Sequence, residues 1–197
     1  MRQRIREHVR FVSAFLRRPA TVGAIAPSSR SLGRAMVRGI AIRPGDAVVE
    51  FGPGTGVFTA EIHRILPDKR AYLGIECELP FVRMLEKRFP DLRFAAASAA
   101  DAPALCKAAG LGPVKVVISG IPFATIPARV QARIVKGVGR ILAPGAVFRT
   151  FQYLPAYPMP SARRFRTRMD RLFGRHEERR VVLRNLPPAF VLTWRKN

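Results

Sequence analysis

DAVVEFGPGTGVFT, residues 46–59, passes from an apolar strand into a glycine-spaced turn and out into a helix. Ala47 to Phe51 is β-branched and apolar on both sides of its alternation, as a strand buried between two helical layers should be. Gly52, Gly54 and Gly56 follow at two-residue spacing. Without Cβ atoms they permit a tight turn and let a ligand lie against bare backbone, while Thr55 is placed to start the next helix. Glu50 sets a carboxylate at the strand's carboxyl end, beside that gap. A nicotinamide fingerprint reads G-x-G-x-x-G, and a phosphate loop needs Gly-Lys-Ser/Thr. Here the spacing is G-x-G-x-G behind a glutamate, with neither lysine nor hydroxyl in register.

That combination resembles the first motif of the S-adenosylmethionine-dependent methyltransferases. The resemblance implies that Glu50 reaches the methionyl amine and that Gly52, Gly54 and Gly56 approach the sugar and amino-acid moiety. Downstream, a helix through Glu61 and Leu66 leads to a strand, Arg70 to Ile75, ending in Glu76 with Cys77 beside it. In doubly wound sheets a carboxylate there accepts hydrogen bonds from both ribose hydroxyls, because the second strand opens on the same crevice as the first. A helix from Leu79 to Phe89 and a strand from Leu92 to Ala97 follow, then Ser98-Ala99-Ala100-Asp101. A polar, acidic turn in this place meets the adenine in the methyltransferase class, with Asp101 on the exocyclic amine and Ala99 or Ala100 giving a backbone contact. Capping of the next helix by Asp101 ahead of Pro103 is a competing and compatible role.

Val114 to Ile118 is the most uniformly apolar strand and runs into Ser119-Gly120-Ile121-Pro122-Phe123. This turn resembles the Asn-Leu/Ile-Pro-Tyr/Phe motif of amino-methylating enzymes, with Gly120 where the amide stands. An amide and an aromatic ring grip a planar base; Gly120 has no side chain to do so and is expected to leave room for a differently shaped amine. A long helix from Pro127 to Leu142 and a fifth strand, Ala146 to Tyr153, complete the crossover. Arg163 to Arg180 reads as an arginine-rich helix, and Arg179 to Asn185 and Ala189 to Trp194 as two antiparallel strands at the sheet edge. The expected fold is α/β: a Rossmann-like seven-stranded methyltransferase sheet, mostly parallel with an antiparallel edge strand, and helices on both faces.

The 197 residues suit one domain with a well-buried core. Against 13 Asp and Glu stand 35 Lys and Arg, a formal charge of +22 that calls for a polyanionic partner, nucleic acid or anionic membrane. Cys77 and Cys106 have neither metal-ligand spacing nor a disulfide framework, so they read as reduced thiols and no metal is expected. No apolar run reaches the roughly 18 to 20 residues of a membrane span, and no signal peptide is read.

Residues 1–18 carry a second signal. Ile5, Val9, Val12 and Leu16 recur at helical spacing, Phe11 and Phe15 widen the stripe, Arg6, Arg10 and Arg17 take the other face, and Pro19 ends the pattern. A basic amphipathic helix with bulky aromatics fits a lipid interface, where apolar burial and attraction to anionic headgroups add. Its expected membrane-binding residues are Ile5, Arg6, Val9, Arg10, Phe11, Val12, Phe15 and Leu16, with residues 19–197 forming the methyltransferase domain. Between them, Ser28 or Ser29 is a candidate cap for a helix carrying Leu32, Met36 and Val37, in a loop placed to cover the cofactor.

GAIAPSSRSL, VVEFGPGTGVFT, GIECEL and VISGIPF, in this order, are similar to the bacterial phospholipid N-methyltransferases over nearly the whole chain, most strongly from Val22 to Phe123. The resemblance implies methyl transfer from S-adenosylmethionine to phosphatidylethanolamine and its mono- and dimethyl forms, giving phosphatidylcholine. It also implies a peripheral place on the cytoplasmic face of a bacterial membrane, without an obligatory protein partner. The alternative is an RNA adenine dimethyltransferase, a related family that would also use the +22 charge. Gly120 in place of the amide, the apolar stripe of the first helix and the lack of room for a further helical domain speak against nucleic acid.

The chemistry asks mainly for alignment of donor and amine. The acceptor is an ammonium that must first lose a proton, so Ser119 or Gly120 through a carbonyl, or the hydroxyl of Tyr153 or Tyr157, are the candidates to orient it. Phe123, Tyr153 and Tyr157 are candidates to face a methylated nitrogen. Arg149 and the arginines from Arg163 to Arg168 are candidates for the lipid phosphate.

Overall fold

The computed structural model of the protein describes residues 28–177 and 180–197. The stretch 1–18 and the membrane-binding residues expected in it lie outside them. The described chain runs α1 (Arg30–Val37), β1 (Ala47–Phe51), α2 (Val57–Ile65), β2 (Tyr72–Glu76), α3 (Leu79–Arg88), β3 (Phe94–Ala96), α4 (Ala102–Ala108), β4 (Val114–Ser119), α5 (Ala128–Ile141), β5 (Leu142–Tyr153), α6 (Pro160–Phe173), β6 (Arg180–Val182) and β7 (Ala189–Arg195). Seven strands form one sheet in the order β3-β2-β1-β4-β5-β7-β6. The first five are parallel; β7 is antiparallel to β5, and β6 is antiparallel to β7. The antiparallel strand thus sits one place in from the edge, which the three-residue β6 occupies.

Alternation along the strands fills two separate cores. Val49, Phe51, Ile75 and Val117 point to the side covered by α4, α5 and α6, where they meet Ile134, Val138, Phe165 and Met169. Val48, Tyr72, Val116 and Ile118 point to the other side, against Leu32 and Met36 of α1, Phe58 and Ile62 of α2 and Leu85 of α3. Strands covered on both faces are the reason their sequence lacks a polar phase. The order reverses between β1 and β4, and the crevice outside their carboxyl ends is where this class of sheet takes ligands.

Several boundaries differ from the sequence reading. Lys69–Ala71 is a single 3-10 turn, so β2 begins at Tyr72. Helix α6 ends at Phe173, because Gly174 at φ +82° turns the chain out of the helix although the run of arginines goes on. No helix among the described residues is long and apolar enough to cross a membrane.

Candidate functional site

The parallel strands bring the carboxyl ends at Phe51, Glu76, Ala96 and Ser119 to one edge of the sheet. Gly52, Gly54 and Gly56 all have positive φ, at 64°, 55° and 80°. Gly56, not Thr55, is the N-cap of α2, and it stands there in the left-handed conformation without a side-chain cap. Thr55 is exposed, and its carbonyl accepts from Arg88 at 3.0 Å. A Cβ built on Gly54 would meet nothing within 4 Å, so this is where the loop leaves its backbone bare to a ligand.

Glu76 holds that loop from the neighbouring strand. Its Oε2 accepts the Gly54 N–H at 3.0 Å and its Oε1 accepts the Glu78 N–H at 3.1 Å. Cys77, part-buried, donates to the same Oε1 at 3.4 Å; burial and then the adjacent Glu76 charge push its thiol up to about 12, so it stays neutral. The sequence reading of Glu76 as a strand-end acid beside the glycine turn is met by direct contact.

Glu50 is fully buried, and its Oε2 accepts from the hydroxyls of Tyr72 at 2.5 Å and Thr59 at 2.9 Å. Burial, opposed by these two donors, raises its carboxyl to about 7. Its other oxygen, Oε1, has no hydrogen-bond partner among the described residues. Tyr72 and Thr59 were not singled out in the sequence. The signal for Tyr72 is Gly74, a glycine inside a strand: a Cβ there would lie 2.9 Å from the Tyr72 hydroxyl and 2.6 Å from the Phe94 ring.

At the end of β3, Ser98 accepts the Ala100 N–H at 3.2 Å and shapes the turn, with Ala99 buried beneath. Asp101 caps α4 by position only; its exposed carboxylate pairs with Arg133 at 3.2 Å. Across the crevice, buried Ser119 accepts the Ile121 N–H through Oγ at 3.3 Å, and its carbonyl accepts from Thr150 at 3.0 Å. Gly120 donates to the Phe51 carbonyl at 2.7 Å, and a Cβ on it would lie 2.5 Å from the carbonyl oxygen of Gly52. This glycine therefore serves the close approach of two loops. The room for an unusual amine expected at its side chain is filled by backbone.

Three expected roles are corrected. Phe123 is fully buried and stacked on Phe165 at 3.8 Å between ring centroids, so it is core and faces no amine. Tyr157 packs on Phe190 at 4.6 Å and already carries the Arg166 guanidinium 3.7 Å over its ring, so that cation-π position is filled from within the chain. Arg149 is buried and donates to Thr193 and to the carbonyls of Met36 and Arg38, tying α1 to β5 rather than offering itself to phosphate. Tyr153 remains at the carboxyl edge, half-buried and hydrogen-bonded to Ser28, with burial raising its phenol. Ser29 is the N-cap of α1, accepting the Leu32 N–H at 3.1 Å; its own N–H donates to Oδ1 of Asn185 at 2.9 Å. The loop that holds Ser28 and Ser29 is thus fastened at this edge, by capping and by partners on β5 and beyond β6.

No protein-family model matches the chain. A curated ornithine lipid N-methyltransferase from Singulisphaera acidiphila is 30% identical over 183 residues, 91% of each chain. The chain belongs to that N-methyltransferase family. Ribosomal RNA small subunit methyltransferase A of Prosthecochloris aestuarii is 29% identical over 96 residues, only 49% of this chain and 35% of that protein. Among solved structures, the N-methyltransferase NodS from Bradyrhizobium japonicum WM9, in complex with S-adenosylhomocysteine, superimposes with a TM-score of 0.66 over 93% of this chain and 97% of that one. At 11% identity this likeness shows the shared class I methyltransferase fold.

Membership makes the chain an S-adenosylmethionine-dependent N-methyltransferase, as the glycine motif predicts. The residues present fit that cofactor. The open side of Gly54 would give it backbone to lie on, the Glu76 oxygens, which already accept the Gly54 and Glu78 N–H groups, would have lone pairs left for ribose hydroxyls, and the orphan Oε1 of Glu50 is an acceptor that would suit an ammonium. When bound, the cofactor supplies an activated methyl group. The chain's own part is to hold the loop, bury Glu50 and present the Ser119 and Gly120 turn across the crevice.

Proposed function

We propose that this N-methyltransferase acts on the amine of a membrane lipid, at an anionic membrane surface. The observation that carries the reading is full-length similarity to an ornithine lipid N-methyltransferase, against half-length similarity to a ribosomal RNA enzyme. Phosphatidylethanolamine and its mono- and dimethyl forms, leading to phosphatidylcholine, are the acceptors the sequence motifs favour. An ornithine lipid is the second acceptor class, favoured by the relative's own activity. Both present an amine on an amphiphile, and both suit a chain of charge +22 working on anionic headgroups.

Positioning does most of the catalysis. The incoming ammonium sheds its proton to water. A tyrosine held protonated by a raised phenol can accept an amine N–H on its oxygen, leaving the nitrogen lone pair free to attack, and does not take the proton as phenolate, so Tyr153 acts by placement. With Phe123 and Tyr157 committed to packing, no described pair of these aromatics encloses the methylated nitrogen, and selectivity among methylation states falls to the shape of the edge.

Isotope-labelled S-adenosylmethionine offered in parallel with phosphatidylethanolamine vesicles, ornithine-lipid vesicles and RNA tests the reading. Label is expected on a lipid amine. Label found only on RNA adenine would refute it.

A further inference from the structure

The turn between β6 and β7 carries apolar side chains that the fold does not use. Leu183 and Leu186 are each 75% exposed, and Val181, Leu154 and Met159 also show large exposed apolar surface. Single exposed leucines are ordinary on protein surfaces, but these share one place. Val182 and Tyr153 both pair with Ala189, which sets the turn 183–188 at the carboxyl edge of the sheet, the edge that bears the glycine loop and Ser119. The Leu154 N–H donates to the Pro188 carbonyl at 2.8 Å, joining the two apolar segments.

The turn is braced. Asn185 is buried, accepts the Ser29 N–H and donates to the Pro187 carbonyl at 2.7 Å. With Asn185 locked inward, Leu183 and Leu186 on either side of it are held outward. Arg184 between the leucines is exposed, and so are Arg163 and Arg164 in the first turns of α6, the helix that follows the carboxyl end of β5. From Leu154 to Met169 and from Arg180 to Pro188 the sequence holds no Asp or Glu. Outward leucines with an exposed arginine between them, in segments that hold arginine and no acid, match an anionic lipid interface, where acyl chains take the leucines and headgroups take the guanidinium groups.

We propose that the turn 183–188 is a membrane wedge that inserts Leu183 and Leu186 into an anionic bilayer and turns the catalytic edge toward the lipid surface. This rests on the reading of the acceptor as a lipid. The wedge belongs to the described residues of the folded domain.

The test uses the full chain with vesicles of phosphatidylethanolamine and phosphatidylglycerol. Leu183→Asp with Leu186→Asp is expected to weaken co-sedimentation by about tenfold or more, because two buried leucines are replaced by charges facing anionic lipid. Calorimetric affinity for S-adenosylmethionine is expected to stay at the wild-type value. Unchanged sedimentation overturns the proposal. In a second variant, Leu186→Trp, the added indole is expected to be quenched by brominated acyl chains, while buried Trp194 supplies the unquenched baseline. No added quenching, or an indole emission already shifted to the apolar range before vesicles are added, overturns it, the latter by placing the turn against another part of the chain. Methyl transfer by the double aspartate variant should fall on vesicles and persist in detergent micelles; equal loss in both overturns the wedge. Should the wild-type chain methylate no lipid in either form, the acceptor reading fails, and the sedimentation and quenching results still decide the wedge.

Discussion

Glu50 shows how a motif residue can be right in position and different in environment. It stands where the glycine motif requires an acid, but burial and the Tyr72 and Thr59 hydroxyls set its chemistry. Its carboxyl is raised from 4.5 to about 7 by burial. A raised acid binds its proton more tightly in the folded than in the unfolded chain, so its contribution favours folding at low pH and is lost as pH climbs from about 4.5 to about 7. The loss is on the order of 3 kcal/mol, taken at about 1.4 kcal/mol for each pH unit between the two values. Glu50→Gln should flatten that stretch of a stability-against-pH curve from urea melts; an identical slope in both proteins would show that Glu50 does not titrate there. Glu76 acts differently, since both of its oxygens already accept backbone N–H groups. Glu76→Ala should weaken cofactor binding by roughly ten- to a hundredfold in calorimetry, the scale of a lost charge-assisted hydrogen bond. Both acids were legible from the sequence because strand ends in a doubly wound sheet open on one crevice. Phe123, Tyr157 and Arg149 were not, because the side on which a ring or guanidinium packs depends on α6, α1 and β7, which reach them only through tertiary folding.

At the scale of elements, the glycine turn separates two demands that look alike in sequence. Gly56 is pressed by its neighbours: a Cβ would lie 2.9 Å from Leu85 and 3.1 Å from Phe89, at a φ of +80°. Gly54 has a similar positive φ and nothing within 4 Å. Gly56→Ala should therefore cost stability twice, through the left-handed backbone at about 1–2 kcal/mol and through displacement of α3 side chains. Gly54→Ala should cost only the backbone part, yet impair S-adenosylmethionine binding, because its methyl would stand in the space left for the ligand. Thermal melts with and without cofactor distinguish them: Gly56→Ala should lower the Tm of the free protein more, Gly54→Ala should lose more of the cofactor-induced rise, and a Gly54→Ala protein with a full wild-type rise would remove Gly54 from the cradle. The regular spacing of the three glycines predicted the turn, but which glycine is packed and which is bare follows from α3, whose side chains roof one end of it. The same holds at Gly120, where the missing side chain was read as room for substrate and proves to be clearance for the Gly52 carbonyl.

For the whole molecule, charge and apolar surface have to be considered together. Residues 1–18 hold six arginines and one glutamate, so removing them lowers the formal charge only from +22 to +17. The folded domain itself thus keeps most of the attraction for an anionic surface, and the turn 183–188 gives it apolar side chains at the catalytic edge. Attraction between exposed charges is screened within about 10 Å at 0.1 M salt, whereas insertion of leucine or phenylalanine into acyl chains is not. A protein lacking residues 1–18 should therefore still bind anionic vesicles at low ionic strength, more weakly than the full chain, and at about 0.5 M salt, where the screening length falls to a few ångströms, should keep only the weak binding that insertion of Leu183 and Leu186 sustains. The full chain, with the apolar stripe of Ile5, Val9, Val12 and Leu16 added, should resist the same salt. Sedimentation across a salt series measures both. Equal salt sensitivity would mean that the stripe contributes no apolar insertion, and complete loss of binding by the shortened chain at low salt would mean that the charge of the domain is not directed at the membrane.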